Sequence, residues 1–407
     1  MKTVLYFIPE FPRISETFIE REVAHLLNNP EIDLHVFSLQ KASGSTSAAV
    51  LKKTTYKRLK IKHLPRLFVF FVKNVHKLPL LINLASGPDR LSYLRRYWHV
   101  IKSFGYAMFF SEFSPDHIHA HFFSEPSNIA MFASKILNVP FSVSAHARDI
   151  FVDATLLPIK AKEAKFVAIC NQRAWGRALE LVGNEYRHKL HMIYHGIDHE
   201  KIFSFPPSLD KPAKPVIFLG GTRLVEKKGI KYVIEASKLL KERGIDHVVN
   251  LVGPGPLFKE LSELITHLGL EDTVIIHGGG NGTPFAVVAD HYKIADIFVF
   301  PSFETGEGDM DGVPTVVIEA SMAKLPIITT NAGSISDLIT RENGIIIPQK
   351  NSQAIANAIE ELLLNPELRE SLGKKAYEKA VKMFDINKNI STLASYFLQK
   401  TKAKDFC

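Results

Sequence analysis

Short apolar runs alternate along this chain with longer stretches of helical spacing. The first run covers residues 2–8, and a loop then leads to Ser15 and Glu16, a pair typical of a helix start. Runs at residues 216–219 and 297–300 are continuously apolar, as in strands buried on both faces of a parallel sheet. Strands that alternate with helices in this way predict an α/β fold.

The length of the chain and one proline-rich stretch indicate two domains. A chain of 407 residues exceeds what one hydrophobic core usually organises. Residues 203–215 contain four prolines, after which the strand and helix pattern begins again. We therefore predict one domain over residues 1–205 and another over residues 206–385, with a final helix in residues 386–407 that crosses back to the first domain.

The net charge of the chain limits the kinds of partner that it binds, and its cysteine content indicates its cellular compartment. A formal net charge of +8 favours a nucleotide, a membrane surface or a nucleic acid, and the lack of zinc-finger spacing and other nucleic-acid-binding motifs argues against the last. Cys170 and Cys407 lack metal-ligand spacing, which fits a reducing compartment. Because we find no signal-like start and no uncharged apolar stretch of about eighteen residues, we expect a cytoplasmic protein without a membrane span.

A basic stretch followed by an apolar one allows two interpretations. Residues 51–66 carry seven lysines and arginines and run directly into the apolar residues 67–72. Cations beside exposed apolar side chains bind anionic membrane surfaces, so residues 51–84 would attach the protein to the inner face of the plasma membrane. A helical hairpin whose apolar residues belong to the core explains the same pattern. Both interpretations stay open here.

Histidines mark two predicted strands of the first half. His117, His119 and His121 alternate, so a strand places all three on one face. Imidazole is the commonest metal ligand, but this stretch supplies no carboxylate or cysteine, so we expect a structural or substrate-lining role and no metal. His146 follows a strand predicted at residues 139–145, where a side chain can donate to a substrate hydroxyl or phosphate.

A glycine-rich loop follows the first strand of the second half. Gly220 and Gly221 let the backbone approach a diphosphate, and Arg223 and Lys228 supply cations for its charge. Gly253 lies in the turn after the next strand. The loop matches neither the P-loop nor the G-x-G-x-x-G fingerprint, and solvated surface cations are the alternative.

An acidic, glycine-rich loop covers residues 304–320, between a predicted strand and a helix. Ligands bind at such positions in α/β sheets. Asp311 and Glu319 lie eight residues apart, on roughly the same side of a helix, and their carboxylates can accept hydrogen bonds from the vicinal hydroxyls of a sugar or ribose. The alternative is a solvated acidic loop. The residues predicted to bind the ligand at the helix start are Gly312, Val313, Pro314 and Thr315.

Taken in order, these motifs resemble those of glycosyltransferase family 4. The motifs are S-A-H-A-R-D at residues 144–149, H-G-I-D at 195–198, G-T-R at 221–223 with K-G at 228–229, and the stretch 311–319. The opening F-P-R-I-S-E-T-F-I, residues 11–19, is similar more narrowly to the bacterial exopolysaccharide and lipopolysaccharide subset. The resemblance implies a retaining transferase of the GT-B fold, in which two Rossmann-like, doubly wound domains face a central cleft. It implies a nucleotide-sugar donor and a glycan or lipid-linked acceptor.

The resemblance also implies a role for each matched residue. His146 contacts the 6-hydroxyl of the donor sugar, Arg223 and Lys228 neutralise the diphosphate, and Glu319 binds the ribose. Asp311 stands where the family has Glu, near the 3- and 4-hydroxyls of the sugar, and this departure leaves the donor sugar open. No cofactor and no metal are expected, since we assign Asp311 of the D-x-D spelling to the sugar. The residues assigned to the acceptor side are Ser15, Glu16, His119 and His121.

Two other functions are compatible with the same motifs. A nucleotide-sugar epimerase on a similar fold would convert the donor without an acceptor. A peripheral membrane protein would keep the fold without catalysis, although the presence of His146, Arg223, Lys228 and Glu319 argues against that.

Overall fold

The computed structural model describes residues 1–13, 16–86, 92–151, 155–199, 203, 206–281, 283–305 and 312–399, without the side chains of residues 147 and 148. Its contacts divide the chain into two units. Unit 1 is Met1–Gly196 with Ile386–Cys407, and unit 2 is Ile197–Asp385. The sequence analysis placed the boundary at 205/206, and the division between the units falls at 196/197.

Unit 1 is a parallel sheet of seven strands flanked by helices. Its strands are β1 (Lys2–Phe11), β2 (Ile32–Lys41), β3 (Thr54–Tyr56), β4 (His117–His121), β5 (Phe141–Ala145), β6 (Val167–Ile169) and β7 (Leu190–Met192). Its helices up to β7 are α1 (Thr17–Leu26), α2 (Ala48–Lys52), α3 (Leu64–Asn74), α4 (Leu78–Ala85), α5 (Tyr93–Phe110), α6 (Glu125–Leu137), α7 (Ala147–Phe151), α8 (Leu157–Glu163) and α9 (Gln172–Val182). The strand order is β3-β2-β1-β4-β5-β6-β7.

Unit 2 is a parallel sheet of six strands. The strands are β8 (Val216–Gly220), β9 (Val248–Val252), β10 (Val274–His277), β11 (Ile297–Phe300), β12 (Ile327–Thr329) and β13 (Ile345–Ile346), in the order β10-β9-β8-β11-β12-β13. The helices are α10 (Ile230–Glu242), α11 (Phe258–His267), α12 (Phe285–Ile294), α13 (Thr315–Met322), α14 (Ser352–Leu364) and α15 (Pro366–Phe384). The last helix of the chain, α16 (Ile386–Leu398), packs in unit 1, where the Phe397 ring contacts the Tyr6 ring.

Both sheets have the strand order of a Rossmann fold. In unit 1 the order reverses between β1 and β4, and in unit 2 between β8 and β11. All pairings in both sheets are parallel, for example Lys2 with Ile32 and Val216 with Val248. The strand cores are buried, as the continuous apolar runs predicted. The predicted α/β class with two Rossmann-like domains is therefore confirmed.

Residues Ile61–Ala85 form consecutive helical turns that are long and apolar enough, by length and composition, to cross a membrane. The expectation of no uncharged apolar run of about eighteen residues holds, because these turns include Lys73 and Lys77, and the expectation of no membrane span stays a prediction. Most of this segment is exposed. Pro65 and Pro79 stand in the first turns of α3 and α4, where proline is tolerated.

The alternating histidines of β4 lie against serines of β5. Nε2 of His117 and Nδ1 of His119 each lie 2.7 Å from Oγ of Ser142, and Nε2 of His119 lies 3.0 Å from Oγ of Ser144. Both histidines are fully buried. Burial, with smaller effects from neighbouring basic groups, lowers the pKa of His117 and of His119 well below the ordinary value. They are therefore neutral at pH 7 and stabilise the sheet as hydrogen-bonded core residues.

We expect acidification to destabilise unit 1 through these histidines. Below the ordinary histidine pKa of about 6.5 the unfolded chain takes up protons that buried His117 and His119 do not, so stability falls by up to about 1.4 kcal/mol per pH unit for each. The variant His117→Asn should show a shallower fall in melting temperature between pH 7.5 and 5 than the wild type. Exposed His267→Asn is the control and should keep the wild-type slope. A wild-type slope in His117→Asn would contradict the assignment.

Glycines let the loops at the carboxyl edge of the unit 2 sheet pack backbone against backbone. Gly229, at φ 69°, ends the turn Glu226–Lys228, and a Cβ there would lie 2.2 Å from the Pro301 carbonyl oxygen. A Cβ on Gly253 would lie 1.8 Å from the Thr222 carbonyl oxygen. The loops that follow β8, β9 and β11 are thus fixed against one another.

We expect Gly229→Ala to destabilise unit 2 more than Gly244→Ala. Both residues have a positive φ, 69° and 74°, so both substitutions carry a left-handed backbone cost of about 1–2 kcal/mol. Only at Gly229 would the added Cβ meet the backbone, since no described atom lies within 4 Å of a Cβ on Gly244. Melting temperatures of the two variants measure the difference. Equal losses would show that the loop contact is not restrictive.

Candidate functional site

The candidate site of unit 2 lies where the strand order reverses, at the carboxyl ends of β8 and β11. Such a reversal opens a ligand-binding crevice because the chain leaves the two strands toward opposite faces. The turn Glu226–Lys228 brings Lys228 there, with its ammonium nitrogen 5.1 Å from the centre of the Phe300 ring at the end of β11. Lys228 is buried, and Arg223 is exposed in the same loop. The sequence predicted both cations for this site.

The glycine loop after β8 approaches the first turn of α13. Gly221 has φ 70°, and a Cβ there would lie 3.1 Å from Cγ1 of Val316 and 3.3 Å from the Tyr292 hydroxyl. Its backbone N–H donates to the Val252 carbonyl at 3.0 Å. Gly220, the last residue of β8, packs on the Phe218 ring. The loop therefore leaves little room for side chains beside α13, and the predicted approach of its backbone to a diphosphate stays a prediction.

Glu319 lies on α13 and is 3% exposed. The Tyr292 hydroxyl, from α12, lies 3.2 Å from both Oε2 of Glu319 and the Val316 carbonyl oxygen. A buried carboxylate needs hydrogen-bond donors, and this tyrosine supplies one. Sequence reasoning identified Glu319 but missed Tyr292, whose only signal was its place on an otherwise apolar helix face.

The start of α13 carries the other predicted donor residues. Pro314 occupies the N-cap position and Thr315 begins the helix, with Gly312 and Val313 directly before them and partly buried. Asp311 lies outside the described residues, so its predicted contact with the sugar stays a prediction. At the other end of the loop, Oε1 of Glu304 accepts from the Gly333 N–H at 3.2 Å. Unit 2 thus brings together the glycine loop, Lys228, the start of α13 and Glu319.

Unit 1 places three histidines together at the carboxyl ends of β4, β5 and β7. The rings of His121 and His146 stack at 5.8 Å and 23°, and those of His146 and His195 at 5.1 Å and 14°. We call these three residues the imidazole stack. Phe18 and Phe122 flank His146 at ring distances of 5.1 and 4.8 Å. The sequence predicted His146 and His121 for the site and quoted His195 only as part of a motif.

Glu22 of α1 connects to the imidazole stack. Its Oε1 accepts from the Tyr6 hydroxyl at 2.9 Å and lies 3.0 Å from Nε2 of His121, and its Oε2 lies 3.9 Å from Nδ1 of His195. Sequence reasoning missed Glu22. The available signal was its spacing of three residues from Ile19 on the buried face of α1, an unusual place for a carboxylate.

The same carboxylate changes one premise of the sequence analysis. We expected no metal because no carboxylate stood near the alternating histidines, whereas potential ligand atoms of Glu22, His119 and His121 lie within 4.8 Å of one another. Each of these side chains already has a hydrogen-bond partner in the protein, namely Tyr6, the serines of β5 or another member of the group. The expectation of no metal stays a prediction.

Asp149 contacts both the backbone and the ring of His146. Its Oδ2 accepts from the backbone N–H of His146 at 3.1 Å and of Phe123 at 3.0 Å, and it lies 3.4 Å from Nδ1 of His146. Phe122, directly before Phe123, has a left-handed φ of 72°, a strained conformation for a phenylalanine. Buried Lys160 donates to the Phe123 carbonyl and so fixes the other side of this strained residue.

Charges around the imidazole stack are set by burial. Burial, with His146 and His121 as smaller contributors, lowers the pKa of His195 well below its ordinary range. Burial raises the pKa of Glu16, against the influence of Arg13, which donates to it at 3.1 Å. Glu16 was predicted on the acceptor side. Ser15 lies outside the described residues, and His119 serves the β4–β5 contact.

Residues 202–379 match the model of a family described as glycosyl transferases group 1. WcaL of Escherichia coli (strain K12), named for colanic acid biosynthesis and glycosyl transfer, is 30% identical over 224 residues, 54% of either chain. AmsK of Erwinia amylovora, named as an amylovoran biosynthesis glycosyltransferase, is 32% identical over 45% of this chain and 44% of its own. The chain thus spans about half the length of these relatives in the matched stretches.

Solved structures extend the likeness to nearly the whole chain. A glycosyltransferase from Rickettsia africae aligns with a TM-score of 0.68 over 98% of this chain and 100% of its own, at 16% identity. Anabaena HepE, solved in complex with UDP, aligns with a TM-score of 0.66 over 97% and 99%, at 17% identity. At such identities the likeness shows the fold alone. The chain therefore has the GT-B fold of solved glycosyltransferases, and residues 202–379 carry the match to glycosyl transferases group 1.

Proposed function

We propose that this protein is a glycosyltransferase that moves a sugar from a nucleotide-sugar donor to a glycan or lipid-linked acceptor in cell-surface polysaccharide biosynthesis. The observation that carries the proposal is the presence of a buried cation, Lys228, and a buried carboxylate, Glu319, at the strand reversal of unit 2. The family match covers this unit, and relatives are named for colanic acid and amylovoran biosynthesis. HepE, of the same fold, was solved with UDP and glucose.

In the proposed donor site, different residues bind different parts of the nucleotide sugar. Lys228 and Arg223 face the diphosphate, whose negative charge grows as the sugar–phosphate bond breaks, so fixed cations stabilise the transition state more than the ground state. Backbone N–H groups around Gly221 and at the start of α13 add to this stabilisation. Glu319 accepts from the ribose hydroxyls. Because these cations neutralise the charge of the diphosphate, the proposed reaction requires neither a metal nor a cofactor.

We further propose the retaining course of family 4. The acceptor attacks the face of the sugar from which the diphosphate leaves, and a phosphate oxygen takes the acceptor proton, so no carboxylate has to act as a nucleophile. His146 contacts the 6-hydroxyl of the donor sugar, and Asp311 its 3- and 4-hydroxyls. The epimerase and the inactive membrane protein are not favoured, because the family model and the relatives are transferases.

We expect Lys228→Ala and Glu319→Ala each to reduce sugar transfer about a hundredfold or more, the scale of losing one transition-state or positioning contact. Transfer is measured as acceptor-dependent release of nucleotide from a panel of nucleotide sugars. Lys231→Ala, at an exposed lysine of α10 that pairs with Glu235, is the matched control and should keep full activity. Wild-type turnover in Lys228→Ala and Glu319→Ala would refute the site assignment.

We also propose that α3, α4 and α5 bind an anionic membrane surface. Leu67, Phe70 and Phe71 pack on the core, so the core interpretation holds for one side of α3. Large apolar side chains on the other side are exposed, with Phe68 at 69% and Leu94 at 85%. The exposed apolar residues of this surface are Ile61, Leu64, Phe68, Val69, Val72, Leu80, Ile82, Tyr93, Leu94, Trp98 and Ile101.

The positive charge of this surface favours binding to an anionic membrane over binding to another apolar partner. Residues 51–86 and 92–102 contain no Asp or Glu, so every charge there is a cation. Some predicted cations are engaged elsewhere, because Lys53 binds Asp33 at 2.6 Å and Lys57 and Arg66 bind Glu112. Exposed Lys62 and Lys73 flank the apolar side chains and are better placed to bind lipid phosphates.

The double variant Lys62→Gln/Lys73→Gln should weaken binding to phosphatidylglycerol-containing vesicles about thirtyfold, at about 1 kcal/mol for each lysine. Sedimentation with vesicles measures the binding. The control Lys231→Gln/Lys259→Gln removes two exposed lysines of unit 2 and should bind as the wild type does. Equal binding of the two double variants would exclude this surface.

A further inference from the structure

We propose that Glu22 is a positioning residue for His146. Glu22 fixes the imidazole stack and keeps a proton on it, so that Nε2 of His146 can donate a hydrogen bond to the substrate. This inference rests on the proposed function for the identity of the substrate, a hydroxylated or phosphorylated sugar. Neither the family model nor the relatives' names assign a role to Glu22.

Glu22 reaches both ends of the imidazole stack. It binds Nε2 of His121 at 3.0 Å on one side and lies 3.9 Å from Nδ1 of His195 on the other, while His146 lies between these two rings. The Tyr6 hydroxyl from β1 holds the carboxylate in place at 2.9 Å. A displacement of Glu22 would therefore move both rings on which His146 stacks.

Asp149, which also contacts His146, determines which hydrogen bonds Nε2 of His146 can make. Asp149 lies 3.4 Å from Nδ1 of His146 and can accept a hydrogen bond from it, which favours the proton of the neutral ring on Nδ1, so Nε2 then carries a proton only when the ring is cationic. Neutral His146 accepts a hydrogen bond at Nε2, and protonated His146 donates one. Within the described part of the chain, Nε2 of His146 is buried without a hydrogen-bond partner, as are Nδ1 of His121 and Nε2 of His195. The charge of the imidazole stack thus decides between acceptor and donor.

Besides Asp149, two carboxylates lie near the imidazole stack, Glu22 and Glu16. Three imidazoles at 5–6 Å disfavour protonation of one another, and burial opposes it further, as the lowered pKa of His195 and His119 shows. Tyr6 of β1 is neutral. Glu16, before α1, also attracts the proton of His146, although burial raises the pKa of Glu16 and Arg13 pairs with it. α16 presents uncharged Asn389 and Ile390 to the small cavity beside Glu22 and His195.

The variant Glu22→Gln removes the charge and keeps an oxygen that can accept from Tyr6. We expect the titration of His146, followed by NMR of histidine-labelled protein and assigned with His146→Gln, to move to lower pH by about one unit or more, the size expected for losing a neighbouring opposite charge. Glu22→Asp should restore most of the shift. Glu20→Gln, which removes a carboxylate of the same helix that binds Thr46, is the control and should leave the titration unchanged.

Kinetics provide the second readout. Glu22→Gln should lower kcat about tenfold or more at pH 7.5 with little change in the KM of the donor, and part of the loss should be recovered at lower pH. A merely structural role would lower the melting temperature without moving either the titration or the pH profile. Because the NMR measurement needs no substrate, failure to find transferase activity would count against the proposed function and leave this test intact.

A third variant guards against misfolding of Glu22→Gln. Tyr6→Phe removes the hydroxyl that stabilises the Glu22 carboxylate and keeps the aromatic ring, so the carboxylate should attract the proton of the imidazole stack more strongly. The His146 titration should then move to higher pH, the opposite direction. A titration that does not respond to Glu22→Gln, or to Tyr6→Phe if Glu22→Gln does not fold, would overturn the proposal.

Discussion

The reversal of strand order in each parallel sheet is the constraint on which the candidate sites depend. In unit 2 the strand order reverses between the neighbouring strands β8 and β11, the position at which open α/β sheets bind ligands. Gly229 and Gly253 then let the surrounding loops lie backbone to backbone. Lys228 and Glu319 reach the same crevice only because these loops are closely packed.

Unit 1 uses the same edge differently, since it buries polar groups there rather than lining a loop with glycine. A buried imidazole or carboxylate destabilises a fold unless it has partners. His119 is satisfied by two serines of β5, His117 bonds one of them through Nε2, and Glu22 is satisfied by Tyr6 and His121. Among the described residues near the carboxyl edge, Nδ1 of His121 and Nε2 of His146 and His195 have no partner, and Nδ1 of His117 has none at the other end of β4.

The sequence predicted the parts of the structure that depend on local pattern. The continuous apolar runs became buried parallel strands, and Lys228, His146 and Glu319 follow strands in the chain as predicted, the first two in loops and Glu319 on α13. Contacts between distant segments could not be predicted in this way. Glu22 meets His121 across 99 positions of the chain, Tyr292 meets Glu319 across 27, and neither pair has a motif. The exposure of one side of α3 and burial of the other also required the packed structure, because both sides are apolar in sequence.

The two sites hold charge in different ways, and this difference assigns the pH dependence of the proposed reaction. The proposed donor site has an ammonium, a guanidinium and a carboxylate, groups that ordinarily ionise far from neutral pH. The site of unit 1 uses imidazoles, which ordinarily ionise near neutrality and whose protonation depends on neighbouring charges. In the proposed reaction the sensitivity of transfer to pH therefore originates in unit 1, where we propose that Glu22 and Asp149 determine whether His146 donates or accepts.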